Sequence, residues 1–89
     1  MKVAKKSEKQ EVSKVTDTTL ETNLLKVAEK FKRLRIDAGY SSHESFAYEN
    51  EINRVQYWRV EKGSNITLST FFKLLNIHKI SPKEFFNDF

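Results

Sequence analysis

The sequence predicts a small all-α domain, and three observations support that class. The chain has 89 residues, which is enough for a single domain. It contains only two glycines and one proline, whereas an all-β domain of this size needs many turns. Five segments begin with helix-capping residues and continue with apolar residues three and four positions apart, the spacing of one helix face. Five helices with short connections are therefore expected.

The first predicted helix begins near Thr18 and ends before Gly39. Residues 18–21 have capping-box spacing, in which a threonine hydroxyl and a glutamate carboxylate each accept a hydrogen bond from the other residue's backbone N–H. Residues 1–19 contain no aromatic side chain and mix lysines with acidic residues, so they bury too little apolar surface to order themselves. We therefore expect a polar, flexible N-terminal tail over 1–19 and a folded domain over 20–89. The apolar face of the first helix consists of Leu20, Leu24, Val27, Phe31, Leu34 and Ala38.

The second and third helices are predicted on either side of a short turn. Ser41 and Ser42 compete for the N-cap of the second helix. Asn53 caps the third helix, which covers about 54–61, and Gln56 is expected to reach back to the Asn53 backbone. The inward-facing residues of this pair are Phe46, Ala47, Ile52, Tyr57 and Val60.

The fourth and fifth helices complete the predicted bundle. Either Thr67 or Asn65 caps the fourth helix. The fifth has the strongest start signal in the chain, because Ser81 at the N-cap is followed by Pro82 at the first helical position and Glu84 at the third. The fourth helix is expected to bury Leu68, Phe71, Phe72, Leu74 and Leu75.

Composition argues against several classes of function. The chain has no cysteine, which excludes a disulfide framework and a thiolate nucleophile, and its two histidines do not favour a metal site. Residues 41–44 supply serine, histidine and glutamate, but neighbours on one helical turn cannot converge as a catalytic triad. We therefore expect no enzyme activity, no metal and no cofactor. His78 is expected to be a hydrogen-bonded, partly buried histidine rather than a ligand or a base.

The expected location is cytoplasmic, without a membrane association. No apolar run is long enough to cross a bilayer, and no signal-peptide core is present. The lysine-flanked apolar stripe of the first helix would suit a membrane surface, but the core requires the same stripe.

Charge and spacing together indicate a nucleic-acid partner. The formal net charge is +4 and the isoelectric point is about 9.4, which favours polyanions. Phe46–Gly63 has the spacing of a helix-turn-helix, with the small Ala47 where two helices must cross closely. That motif places its second helix in the DNA major groove.

From Leu24 to Phe86 the sequence resembles the Xre/lambda-repressor-like (Cro-type) family of helix-turn-helix transcriptional regulators. The resemblance depends on the order and spacing of several segments, which are 31–35 with Gly39, 44–47, 60–63, 68–75 and 80–86. It implies a five-helix DNA-binding domain that binds double-stranded DNA as a homodimer. It also implies that Arg35 and Glu61 form an internal ion pair. With no room for a ligand domain, a small-molecule ligand is not expected.

The base-reading residues are expected on the third helix, opposite Tyr57 and Val60. Arginine can bind guanine through two hydrogen bonds, glutamine can bind adenine in the same way, and valine can contact a thymine methyl group. The alternative is a polar face that contacts only solvent. Trp58, which lies beside these residues, could pack against the second helix, stack at the edge of the DNA or join a dimer contact. The four predicted readers, here called the reading face, are Arg54, Val55, Gln56 and Arg59. The predicted phosphate contacts are His43, Lys62, Ser64 and Asn65.

The sequence departs from the family at the second helix and at the turn that follows it. His43 replaces a usual glutamine at the start of the second helix. Glu51 replaces the turn glycine, and the neighbouring Asn50 is expected to take the left-handed conformation because asparagine tolerates it best after glycine.

Two surfaces outside the third helix have alternative interpretations. Phe85, Phe86 and Phe89 are predicted to form a homodimer interface, unless Phe89 folds back over the first helix. In the N-terminal tail, Lys2, Lys5, Lys6 and Lys9 would form either a DNA-binding arm or a solvated segment. The alternative to the regulator as a whole is a protein-interaction or antitoxin-type module without strong sequence-specific DNA reading.

Overall fold

The protein is described by a computed structural model that covers the backbone from Lys9 to Phe89 and the side chains from Thr19 onward. Over that range the predicted all-α class is confirmed, and the five predicted helices occur in the predicted order. Residues 1–8, including Lys2, Lys5 and Lys6 of the proposed DNA-binding arm, lie outside the described residues. The helices are α1 (Lys9–Asp37), α2 (His43–Glu49), α3 (Arg54–Glu61), α4 (Leu68–His78) and α5 (Pro82–Phe85).

Helix α1 begins at Lys9, so the prediction that it begins near Thr18 is wrong. Residues 9–19, expected in the flexible tail, are helical. The physical reason is that glutamine, glutamate and lysine are good helix formers, and neither glycine nor proline interrupts 9–19. Helix α1 ends as expected: Gly39 has φ +99°, and its N–H donates to the carbonyl of Ile36 at 2.9 Å.

All five helices contribute to one apolar core. Phe31 of α1 lies at its centre, fully buried, with its ring 4.8 Å from Phe85 and 5.8 Å from Phe71 between centroids. Tilted and edge-to-face aromatic pairs of this kind each add about 0.5–1.5 kcal/mol beyond the apolar area they bury. The buried cluster consists of Phe31, Phe46, Ala47, Tyr57, Val60, Phe71, Leu74, Leu75 and Phe85.

Helix α4 buries less than the sequence predicts. Phe71, Leu74 and Leu75 face the core, whereas Leu68 is 71% exposed and Phe72 is 45% exposed. A single helix packed on one side of a bundle can bury only one stripe, and Leu68 and Phe72 share a different stripe because they are four residues apart.

His78, at the end of α4, is partly buried as expected but is not hydrogen-bonded through Nε2. Its imidazole stacks on Phe46, with centroids 5.2 Å apart and planes 10° apart. Burial lowers the pKa of His78, because the charged imidazolium would lose its hydration there.

The sequence left two candidate N-cap residues open at α2 and at α4, and the structure shows which one caps each helix. The hydroxyl of Ser42, not Ser41, accepts the cap hydrogen bond of α2. Thr67, not Asn65, caps α4. At α5, Ser81 and Glu84 form both hydrogen bonds of the capping box.

In the turn between α2 and α3, Asn50 does not take the left-handed conformation that the sequence suggested for it. Glu51 takes the left-handed conformation with φ +57°, whereas Asn50 has φ −105°. The reason is local: the Asn50 side chain donates to the carbonyl of Phe46 at 2.9 Å and so continues the cap of α2. The chain therefore reverses one residue later, although glutamate is strained in that conformation.

Gly63 ends α3 at a close approach to α1. It has φ +88°, and a Cβ at this position would lie 2.8 Å from Cδ2 of Leu25. A side chain here would therefore strain the backbone and push aside the exposed tip of Leu25.

Candidate nucleic-acid interface

Helices α2 and α3 are joined by four residues, 50–53, and pack directly on each other. The N–H of Ile52 donates to the carbonyl of Ala47 at 2.8 Å, which folds the turn back onto α2. The Phe46 and Tyr57 rings meet with centroids 4.8 Å apart, and Ala47 is buried between the helices. This packing fixes which side of α3 faces outward.

The reading face is exposed on the outer side of α3. Tyr57 is 0% exposed and Val60 is 2% exposed, so these residues turn one side of the helix into the core. The structure brings the predicted readers together on the remaining surface, where Arg54, Val55, Gln56 and Arg59 are all exposed. Val55 is 52% exposed, which leaves an apolar side chain in water among polar neighbours.

Gln56 is held at its backbone and at its side chain. Its N–H donates to the Asn53 side-chain oxygen at 2.9 Å, which is the predicted N-cap. The sequence suggested that the Gln56 side chain would reach back to the Asn53 backbone, but it does not. Instead, Nε2 donates to Oγ1 of Thr70 on α4 at 3.5 Å.

The predicted phosphate contacts surround the ends of α2 and α3. Lys62 follows α3, is exposed, and holds its ammonium group 5.3 Å from the ring centroid of Trp58. Ser64 and Asn65 are exposed in the loop that follows. His43, by contrast, is half-buried at the first position of α2.

Arg35 and Glu61 join the end of α1 to the end of α3. Nε of Arg35 donates to Oε2 of Glu61 at 2.8 Å, and Nη2 donates to Oε1 at 3.0 Å. The third arm of the guanidinium, Nη1, donates to the Tyr40 carbonyl at 2.8 Å. Both side chains are nearly buried, at 7% and 10% exposure.

The pKa values around this ion pair follow from burial and from the pairing. Burial alone would raise the pKa of Glu61, but the hydrogen bonds from Arg35 and its positive charge hold the pKa below its usual value. The hydrogen bonds to Glu61 raise the pKa of Arg35. Burial, followed by the Glu61 carboxylate, raises the pKa of Tyr57, whose buried hydroxyl lacks a hydrogen-bond partner of good geometry.

Helix α2 presents a different surface from α3. Glu44 and Glu49 are exposed on α2, and Glu51 is exposed in the turn after it. Tyr48 lies among them and is 83% exposed. The exposed surface of α2 and of the turn after it is therefore acidic and partly aromatic, and its negative charge repels phosphates.

Phe85 is not available for the predicted dimer interface, because it is 0% exposed in the core. The α5 segment buries only one of its neighbouring phenylalanines, and Phe85 fills the space beside Phe31 and Phe71. Phe86 and Phe89 remain 43% and 37% exposed and meet edge to face, with centroids 5.0 Å apart. These two residues form what we call the C-terminal aromatic patch.

The chain end also contacts α1, through two lysine side chains. The ammonium group of Lys26 lies 5.3 Å from the Phe89 ring centroid. Lys30 forms an ion pair with Asp88, and this pairing lowers the pKa of the exposed Asp88 carboxyl. A groove of about 540 Å³ separates the two segments.

The described residues contain neither a membrane-spanning helix nor a metal-binding group of side chains. Among them, no helix has the length and apolar character that crossing a membrane requires. Within the same part of the chain, histidine and acidic side chains do not form a group that could hold a metal ion.

One residue of this surface was missed by sequence reasoning. Thr70 meets Gln56 across α3 and α4, fourteen positions away along the chain, and no local spacing rule reports such a contact. The only sequence signal was its place three residues after the cap of α4, which suggested no functional role.

Comparison with known proteins adds no further information about this surface. No protein-family model, curated protein or solved structure matches the chain. What the chain does is therefore inferred from its own residues.

Proposed function

We propose that the protein is a sequence-specific, double-stranded DNA-binding transcriptional regulator with a lambda-repressor-like domain. The observation that supports this proposal most directly is the exposed reading face of α3. It combines two arginines, a glutamine and a valine opposite a buried side. These side chains match guanine, adenine and the thymine methyl group, respectively. The proposed action is occupancy of a DNA site, without catalysis and without a cofactor.

The dimensions of α3 suit the major groove. An α-helix with its side chains is about 10–12 Å across, close to the groove's width of about 12 Å. Lys62, Ser64 and Asn65 follow α3 and are exposed, where they would meet the phosphates at the groove's edge. Phosphate contacts of this kind position the protein, and the reading face supplies the specificity.

A homodimer is part of the proposal. The C-terminal aromatic patch offers an exposed apolar surface away from α3. A two-fold pair that sets its third helices about 34 Å apart would match two half-sites of a palindromic operator.

A second candidate is a protein-interaction module, and one observation favours it. The exposed surface of α2 and of the turn after it carries Glu44, Glu49 and Glu51 around the exposed Tyr48. Acidic side chains weaken DNA binding by charge repulsion, whereas exposed tyrosine and tryptophan are enriched in protein interfaces.

Selection from a pool of random double-stranded DNA tests the two candidates against each other. The regulator predicts enrichment of a sequence with dyad symmetry, and the affinity for that sequence falls as salt rises because counterions are released. A pool that shows no enrichment at any salt concentration, with only weak salt-dependent binding, would reject the regulator and favour the interaction module.

A further inference from the structure

The Gln56 side chain has a hydrogen-bond partner within the protein, on the neighbouring helix α4. Its backbone N–H is tied to Asn53 and its amide nitrogen is tied to Thr70. The two anchors lie on different elements, the turn before α3 and the first turn of α4. The side-chain contact, at the long end of hydrogen-bond distances, favours one orientation of the Gln56 amide before any partner arrives.

The Thr70 hydroxyl is itself held in place by the cap of α4. The Thr67 hydroxyl accepts the Thr70 N–H at 3.1 Å and donates its single hydrogen to Oγ1 of Thr70 at 3.1 Å. A hydroxyl oxygen has two acceptor sites. In Thr70 one receives the Thr67 hydroxyl and the other receives Nε2 of Gln56.

This arrangement fixes which atoms of the Gln56 amide remain for a partner. One of the two amide hydrogens points to Thr70, so the second N–H and the carbonyl oxygen are left at the exposed end. Adenine presents an acceptor and a donor side by side in the major groove, at N7 and N6. The free donor and acceptor of Gln56 complement that pair.

We propose that Thr70 is a positioning residue, which orients Gln56 so that the reading face selects adenine at one position of the DNA site. The inference rests on the proposed DNA-binding function and deepens it. Thr70 does not touch DNA in this scheme; it acts through Gln56.

The crevice around the contact explains why the anchor matters. A cavity of about 270 Å³ lies between α3 and α4, and Gln56, Ser69, Thr70 and Lys73 are among its lining residues. Without the Thr70 oxygen, the Gln56 side chain can turn into this space or present its amide in either sense. Recognition of adenine then loses its preference over the other bases, while contacts from Arg54 and Arg59 persist.

Replacement of Thr70 by valine tests the inference with little change of shape. Thr70→Val removes the acceptor oxygen but keeps the branched side chain and the backbone N–H that Thr67 caps. Gln56→Ala first identifies the base pair that Gln56 reads, by competition with DNA sites varied at each position. At that position the parent is expected to discriminate by roughly 5- to 150-fold, the range for a bidentate contact.

Two variants of Thr70 separate positioning from a structural role. Thr70→Val should reduce the discrimination at that position by about fivefold or more. Thr70→Ser, which keeps the hydroxyl, should retain it. Affinity for unrelated DNA and the midpoint of thermal unfolding should be the same in both variants.

Two outcomes would overturn the inference, and they are distinguishable. If the parent selects a site and Thr70→Val keeps the full discrimination that Gln56→Ala loses, Thr70 does not position Gln56 and the DNA-binding function stands. If the parent selects no site from the random pool, the proposed function fails and this inference falls with it.

Discussion

Arg35 and Glu61 meet through two parallel hydrogen bonds, of 2.8 and 3.0 Å, that tie the last turn of α1 to the last turn of α3. Because a guanidinium and a carboxylate match as planar forks, the contact fixes an orientation as well as a distance. The orientation of the reading face thus depends on a contact on the far side of α3 from its exposed residues.

Arg35→Ala should therefore destabilise the fold rather than alter base preference. It would leave the nearly buried Glu61 carboxylate without its partner, a change that costs about 3–5 kcal/mol. Urea denaturation measured by circular dichroism checks this value. Arg33→Ala removes an exposed arginine from the same helix and should change stability by less than about 0.5 kcal/mol. Unchanged stability with weaker DNA binding would instead assign Arg35 to the DNA surface.

Arg54→Ala and Arg59→Ala should each weaken binding to the selected DNA site by roughly 1–3 kcal/mol and relax base preference there. Lys62→Ala should weaken binding to all sequences alike and reduce the dependence on salt, because it removes a phosphate contact. Fluorescence anisotropy with specific and scrambled DNA separates the two effects. Lys83→Ala removes one positive charge from α5 and provides the control. Parent-like affinity in both arginine variants would show that α3 is not the reading helix.

Glu51→Gly should stabilise the protein. Glycine adopts the left-handed backbone at φ +57° without the strain that glutamate bears there, which favours the variant by about 1 kcal/mol. Asn50→Gly should have the opposite effect, because Asn50 donates to the Phe46 carbonyl and has a negative φ. Thermal unfolding of both variants measures the two shifts. Equal destabilisation by both would contradict the backbone assignment of this turn.

His78 should make folding stability fall as the pH drops below about 6.5. Its pKa is lower in the folded chain than in the unfolded chain, so the unfolded chain binds more protons as the pH falls from the unfolded pKa toward the folded one. Its contribution is therefore complete above the unfolded pKa and lost below it. Urea denaturation between pH 7.5 and 5.5 measures how the free energy of unfolding changes with pH. This interval lies above the pH range in which carboxylates titrate.

His78→Phe is the matched variant for that measurement. Phenylalanine keeps a ring stacked on Phe46 and removes the unpaired Nε2 atom, so stability at pH 7.5 should be unchanged or higher. The decrease in the free energy of unfolding from pH 7.5 to pH 5.5 should be smaller in His78→Phe than in the parent. An identical pH dependence in parent and variant would show that other groups cause it.

The C-terminal aromatic patch should support a homodimer. Sedimentation across micromolar concentrations is expected to show a monomer–dimer equilibrium in the parent and a shift to monomer in Phe86→Ser and Phe89→Ser. Phe72→Ser, which removes a similarly exposed phenylalanine from α4, tests whether the effect belongs to the patch. A strictly monomeric parent that also binds DNA one molecule at a time would reject the dimer.

The helix starts and the core were predictable from sequence because they follow local rules. Ser81 and Glu84 satisfy each other's backbone N–H groups within four residues, and apolar spacing identified Phe31 and Tyr57 as inward-facing. The start of α1 was not predictable in this way. A capping box near Thr18 competes with simple continuation of the helix, and lysine, glutamate and glutamine upstream favour continuation.

The outward position of the four readers was likewise predictable, since helical periodicity sets it once the inward residues are known. What periodicity could not supply was the contact across helices. The choice of Phe85 rather than Phe86 for the core depends on the rings already present around it, and the bond from Gln56 to Thr70 depends on how α4 packs against α3.

The close approach of Gly63 to Leu25 also limits how sequences related to this one can diverge. Any side chain at position 63 would have to hold the left-handed backbone at φ +88°, and it would push aside the Leu25 methyl group 2.8 Å from its Cβ. Leu25 is 59% exposed and can turn away, so the backbone conformation is the lasting constraint. Related sequences are therefore expected to keep glycine at position 63, whatever residue they carry at position 25.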